Sequence, residues 1–326
     1  MHTTLLSNSR GGDIREPRSR RDRIVLSPLR YPGGKRRLVP YLAAALAENG
    51  LKPDLFVEPY AGGASVSLEL LHRDLVGRIV IGDADPMVNA FWETVVTDVD
   101  WLCKQVESIS LNLETWQRMK QTCFRSRKNL ALACLYLNRT SFNGTLHQRA
   151  GPIGGKAQAS EYDIGCRFPR ERLISRLRSC AKLANRIEVA PAQDAMLTVR
   201  QSREKARRDD ASVFFYLDPP FWAKSKYLYR RAFTELEHER LADQLQWIKD
   251  PFLLSYDPAP EIIELYTGHS AATVAEIELL YSGSSRSAGI EVVISNVAKL
   301  PVETKLWRTS REWQDARRAA AQATAK

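Results

Sequence analysis

The run FFYLDPPFW, from Phe214 to Trp222, sets a carboxylate and two prolines at the end of an apolar stretch. Neither Pro219 nor Pro220 can extend a sheet ladder, so a strand must stop at Asp218. Both prolines also lack an N–H, and the backbone there offers only carbonyl acceptors. A carboxylate beside a bare carbonyl is a pair of acceptors suited to an –NH2 group. Phe221 adds a flat ring for stacking. Asp218, Pro219, Pro220 and Phe221 together suit the exocyclic amine of a planar base.

Two further stretches have the composition of a ligand site. In FVEPYAGGASV, Gly62 and Gly63 end a strand and open a helix, which lets the backbone approach a ligand closely. Asp83 ends the next strand, where an acidic group binds ribose hydroxyls, so the pair points to a nucleoside-bearing cofactor. The GxGxxG pattern of dinucleotide sites is absent. Upstream, RYPGGKRR places Gly33, Gly34 and Lys35 in a turn that suits a phosphate or a carboxylate, without matching the Walker pattern. Downstream of Trp222, Lys224, Lys226, Arg230 and Arg231 interleave with Tyr227 and Tyr229, a composition suited to phosphate contact and base stacking.

Such residues need elements to hold them. DLFVEPY, GRIVIGDAD, RIEVAPA, SVFFYLDPP, PFLLSYDP, TVAEIELLYSG and GIEVVISN read as strands, and ASVSLELLHRD and MVNAFWETVV as helices. TELEHERLADQLQWI predicts a helix with a capping box from Thr234 to Glu237 and an apolar stripe through Leu241, Leu245 and Ile248. This alternation predicts an α/β fold with a mainly parallel, doubly wound sheet. From about 100 to 186 the pattern turns helical, basic and strand-free, as an insertion would. Within it Leu173, Leu177, Cys180 and Ala184 share one helical face.

The totals set the class. A net charge of +10 and a pI of about 9.4 favour a polyanionic partner. No apolar run approaches the roughly 20 residues of a membrane helix, and residues 1–28 lack a secretory core, so no membrane association is expected. Five cysteines without a CxxC pair suit reduced thiols in a cytoplasm. The histidines lack ligand spacing, and no metal is expected.

RYPGGK, FVEPYAGGASV, IGDADPMVNAFW, LNRTSFNG, FFYLDPPF, LLSYD and EVVISN occur in one order, and in that order they resemble the motifs of Dam-like (D12-class) DNA adenine-N6 methyltransferases. The resemblance spans roughly residues 29–297. It implies a Rossmann-like doubly wound methyltransferase sheet with an inserted, mostly helical target-recognition lobe. S-adenosyl-L-methionine would be the cofactor and double-stranded DNA the substrate. By position, it implies cofactor contacts from Tyr31, Lys35, Glu58, Tyr60, Gly62, Gly63, Asp83 and Asp218. Asp218, Pro219, Pro220 and Phe221 match the catalytic D-P-P-[YF]. Asn138, Arg139, Phe142, Asn143 and Gly144 match a hairpin that touches DNA near a flipped base, and Lys224, Lys226, Tyr229 and Arg230 are expected to contact DNA as well. The division implied is a disordered basic leader over 1–28, a catalytic domain over 29–99 and 187–307, the target-recognition lobe over 100–186 and a flexible tail over 308–326.

Two residues depart from the commoner pattern: Phe221 stands for Tyr and Tyr60 for Phe, each keeping an aromatic ring. GTLHQRAGPIGGKAQ does not follow the GATC-reading members, so no target sequence is carried over. In the reaction expected, the Asp218 carboxylate and the Pro219 carbonyl accept from the adenine amine and make its nitrogen a better nucleophile, without a covalent enzyme intermediate. Cytosine-C5 chemistry needs a thiolate, and no cysteine here follows a proline. N4-cytosine methylation, RNA adenine methylation and a catalytically inactive DNA-binding protein remain as alternatives. A bacterial or phage restriction-modification setting is expected, with the enzyme a monomer or weak dimer.

Overall fold

The computed structural model describes residues 26–30, 34–222, 233–268, 272–282 and 286–306. Among them seven strands form one sheet: β1 (Leu55–Glu58), β2 (Arg78–Ile81), β3 (Ile187–Val189), β4 (Val213–Leu217), β5 (Phe252–Tyr256), β6 (Thr273–Ser282) and β7 (Arg286–Ser295). Their order is β3-β2-β1-β4-β5-β7-β6. The first five pair in parallel, and β7 runs antiparallel to both β5 and β6. Every residue of β1, β4 and β5 is buried, because helices cover both faces of these central strands.

Side chains alternate between two cores, as a period of two requires. Phe56, Ile79, Phe214, Tyr216 and Val293 face one side, whereas Val57, Val80, Phe215, Leu217 and Ile294 face the other. The first side is covered by α1 (Val39–Glu48), α2 (Ser65–His72), α3 (Pro86–Thr97), α4 (Val99–Ser108), α5 (Leu113–Gln121), α6 (Arg127–Thr140) and α7 (Arg170–Ala181). The second is covered by α8 (Ala195–Arg208), α9 (Glu235–Leu245) and α10 (Pro260–Thr267). In α9 the reciprocal bonds of the capping box form between Thr234 and Glu237, and Leu241, Leu245 and Ile248 are buried.

The expected insertion is mostly helical, and no sheet strand intervenes between Ile81 and Ile187. Its helices do not stand apart from the sheet: Leu135 and Tyr136 of α6 and Leu173, Leu177 and Cys180 of α7 share the core of the first face. Ala184, expected on the same stripe, lies in a half-buried 3-10 turn. Not every arginine of this segment is a surface charge. Arg170 donates to the carbonyls of Val106, Glu107 and Ile109 and closes the end of α4.

The chain just before the sheet is clamped by the same helices. Arg139 donates to the Pro28 carbonyl, with Nε at 2.7 Å, and Arg176 donates to that of Ser27 at 3.3 Å. Leu26, Ser27 and Leu29 are buried as a result. The leader expected over 1–28 is therefore ordered from Leu26 onward; residues 1–25 and the tail over 308–326 lie outside the described residues.

Candidate active site

Strands β1 to β4 run parallel, so their carboxyl ends share one edge of the sheet, and the strand order reverses between β1 and β4. Ligand crevices form outside such an edge. A cavity of about 300 Å³ opens there, and Gly34, Lys35, Glu58, Tyr60, Gly63, Asp83, Asp194, Asp218, Pro220 and Phe233 are among its lining residues.

The turn from β1 to α2 divides its two glycines between structure and site. Gly62 adopts φ 45°, donates its N–H to Asp83 Oδ2 at 2.9 Å and accepts from the Trp92 indole at 2.8 Å. Both of its backbone groups are thus used within the fold, and it is Gly63 that lines the cavity. The other oxygen of Asp83 accepts from the Asp85 N–H at 2.8 Å. Burial pushes the Asp83 carboxyl up to about 7, against the two N–H bonds that hold it down.

Glu58, at the end of β1, accepts on Oε2 from the Ser67 N–H at 3.1 Å and from the Ser67 hydroxyl. Burial pushes it up to about 8; the Ser67 bonds oppose that shift, and the charges of Asp218 and Asp83 add to it. Tyr60 stands edge-on to Phe233, with ring centroids 5.9 Å apart.

Asp218 follows β4 directly. Its Oδ1 takes an ion pair from Lys35 Nζ at 2.7 Å and a hydrogen bond from the Ser255 hydroxyl at 3.0 Å. Because Ser255 donates to Asp218, the Tyr216 hydroxyl donates to Ser255, also at 3.0 Å. Both of these bonds fall on one oxygen, Oδ1. Burial raises the Asp218 carboxyl above the ordinary range, while Lys35 and Ser255 pull it back.

Lys35 was expected to hold a cofactor, and it does line the cavity, but its ammonium is engaged in the interior. It also lies 3.5 Å from Glu291 and sits 4.6 Å above the centroid of the Phe221 ring. Phe221 is accordingly buried, with one face covered by a cation, rather than presented openly for stacking. Pro219 is buried, and Pro220 borders the cavity.

The hairpin after α6 separates the residues that the sequence grouped together. Asn138 is fully buried and Arg139 nearly so. Their side chains bond the backbone of Pro28, Arg30 and Gly144, so direct DNA contact, expected of both, is replaced by a structural task. Phe142 and Asn143 lie at the exposed tip, Phe142 with 62% of its surface open. Asn143 takes φ 55° and Gly144 φ 74°. Tyr31, Lys224, Lys226, Tyr229 and Arg230 lie outside the described residues.

Four contributors were missed as site residues. Asp194 caps α8 through the Met196 N–H at 2.8 Å and lines the cavity; a third strand followed by a turn and an acid, RIEVAPAQD, was the available signal. Phe233 carried no signal beyond being aromatic. Ser255 sits inside LLSYD and Glu291 opens EVVISN, polar residues in otherwise mostly apolar runs. Taken together, the site is a cavity walled by acidic side chains, beside a carboxylate that Lys35 and Ser255 hold through one oxygen.

A family model for D12 class N6 adenine-specific DNA methyltransferase matches residues 31–282. The Type II methyltransferase M.MjaIII of Methanocaldococcus jannaschii is 22% identical over 214 residues, which cover 59% of this chain and 68% of that protein.

Proposed function

The chain belongs to the D12 class N6 adenine-specific DNA methyltransferase family, and from that premise we propose which of its groups hold the cofactor, accept the adenine amine and meet the DNA. The observation that carries the reading is Asp218 at the switch point of the sheet, with Oδ1 engaged by Lys35 and Ser255 and the cavity alongside.

S-adenosylmethionine, when bound, supplies a methyl group activated by positive sulfur. The residues present fit that group. Glu58, Asp83 and Asp218 line the cavity with carboxyl groups whose charged forms a ligand carrying sulfonium and ammonium charges would favour. Asp83 would take the ribose hydroxyls, with Tyr60 and Gly63 forming the adjoining wall. Gly62 supports this loop from behind. We assign Lys35 to the catalytic carboxylate rather than to the cofactor, because its ammonium is held between Asp218 and Glu291.

Asp218 Oδ2 and the Pro219 carbonyl are the proposed acceptors for the two N–H groups of the adenine N6. Bonds from the amine to a carboxylate are charge-assisted and about twice as strong as neutral ones. They draw the nitrogen toward a pyramidal geometry, and a placed partner of this kind contributes about 3 kcal/mol to a barrier. No side chain need form a covalent bond. Phe221 supports Lys35 on one face and offers a base only the other.

The amine is out of reach inside a duplex, so the base must be extruded. Phe142 and Asn143 are the proposed contacts for the gap, on a tip held by Asn138, Arg139 and Gly144. Residues 100–186 are assigned to target recognition, and Lys224, Lys226, Tyr229 and Arg230 to the DNA backbone on composition alone. The test is incubation with unmethylated plasmid and S-adenosylmethionine beside an Asp218→Ala control, followed by nucleoside mass spectrometry. N6-methyladenine with the intact protein only is expected. N4-methylcytosine, or equal product from the variant, overturns the assignment.

A further inference from the structure

We propose that Glu291 is a positioning residue of the active site, sharing the ammonium of Lys35 with Asp218 and thereby keeping Asp218 a strong acceptor for the amine. The proposal rests on the assignment of Asp218 just made.

Lys35 Nζ lies 2.7 Å from Asp218 and 3.5 Å from Glu291. The side chains of Lys35 and Glu291 are 2% and 0% exposed, whereas that of Asp218 is 20% exposed and borders the cavity. Glu291 stands opposite Ile277 in the β6–β7 ladder and shares its side of β7 with Val293, in the core of the first face. An apolar strand facing an apolar core has no need of a carboxylate for its own packing. Replacing buried ions by apolar groups is often neutral or stabilising, so the acid calls for a reason beyond packing.

Charge division supplies that reason. One ammonium shared between two carboxylates is drawn less fully to either. If Lys35 faced Asp218 alone, the two would close into a neutral pair, and the carboxylate would accept weakly from an amine N–H. Glu291 draws part of the ammonium's attraction away. It also holds Lys35 in place when Asp218 turns to its substrate. Among the described residues, the other groups around Asp218 are Glu58 from β1, Tyr216 from β4, and Ser255 and Tyr256 from β5. Among these only Ser255 donates to Asp218, so among the described residues Lys35 is its principal source of positive charge and the one Glu291 modulates.

The sign of the pH effect follows. Asp218 works as a carboxylate, so methyl transfer falls as pH drops through its pKa. Loss of the Glu291 charge commits Lys35 to Asp218 and lowers that pKa. In Glu291→Gln, single-turnover methyl transfer should fall about tenfold on its plateau, with the acid limb displaced about one unit downward. The KM for DNA and the calorimetric affinity for S-adenosylmethionine should change no more than about twofold. Glu291→Asp keeps the charge but draws it back from Lys35, and should fall between wild type and Gln in both rate and limb.

A Gln variant with a lowered melting temperature but the wild-type plateau and limb makes Glu291 structural and overturns the proposal. Should the Gln variant not fold, a wild-type profile in Glu291→Asp does the same. A wild-type protein that makes no N6-methyladenine overturns the reading of Asp218 underneath, a separate failure seen before any variant is compared.

Discussion

The side-chain amide of Asn138 closes on the backbone of Arg30 from both sides. Its Oδ1 accepts from the Arg30 N–H at 2.7 Å, and its Nδ2 donates to the Arg30 carbonyl at 2.7 Å and to the Gly144 carbonyl at 2.8 Å. One buried amide thus joins the segment before the glycine turn of Lys35 to the hairpin that carries Phe142. The segment that leads to Lys35 and the exposed tip are braced by the same residue.

Asn138→Ala would leave these backbone groups buried without partners. At about 1–3 kcal/mol for an unsatisfied group, the variant should lose several kcal/mol of stability. Thermal unfolding without DNA checks this. A side chain used only to touch DNA would leave that melting temperature unchanged.

Gly144 is required by its neighbours as well as by its φ of 74°, because a Cβ there would strike the Arg30 carbonyl. Gly144→Ala should destabilise the protein by about 1–3 kcal/mol from backbone strain alone. It should also weaken DNA methylation more than cofactor binding, since the hairpin is what moves. Calorimetry with S-adenosylmethionine beside a methylation assay separates the two effects.

Phe142 is the opposite case. It packs little, so Phe142→Ala should change stability by no more than about 0.5 kcal/mol. Methyl transfer should nevertheless drop, with a weaker fluorescence rise from 2-aminopurine at the target base. Unchanged fluorescence would remove Phe142 from base extrusion.

Two carboxyls make stability depend on pH. Burial pushes Glu58 up to about 8 and Asp83 up to about 7. An unfolded chain releases these protons near pH 4, so between there and about pH 8 the folded state binds more of them. Their contribution is full below the unfolded value and is lost as pH rises through the folded values. The melting temperature of the cofactor-free protein should therefore decline from about pH 4 to about pH 8 and level off above that. Glu58→Gln keeps an oxygen for Ser67 and removes the titration, so its decline should be shallower. An equal decline would place Glu58 ionised throughout.

Much of the fold was legible because it rests on local rules. Short runs rich in Val, Ile, Phe and Tyr marked the strands, the Thr234–Glu237 box marked the start of α9, and Pro219–Pro220 marked the end of β4. The insertion was legible as helical but not in its seat. A stripe such as Leu173, Leu177 and Cys180 says that a face is buried, without saying against what.

By itself the sequence determined which elements form, where the catalytic strand ends and which residue types gather at that end, since period, proline geometry and capping act over a few residues. Tertiary structure alone decided the partners. Asn138 and Arg139 look like nucleic-acid ligands in a motif, yet they meet the carbonyls of Pro28 and Arg30, because that chain folds back over α6. Lys35 looks like a cofactor ligand, yet it meets Asp218 and Glu291, because the end of β4 and β7 bring two acids beside it. A polar side chain carries the same chemistry to solvent, ligand or backbone, and only the folding of distant segments selects which one it meets.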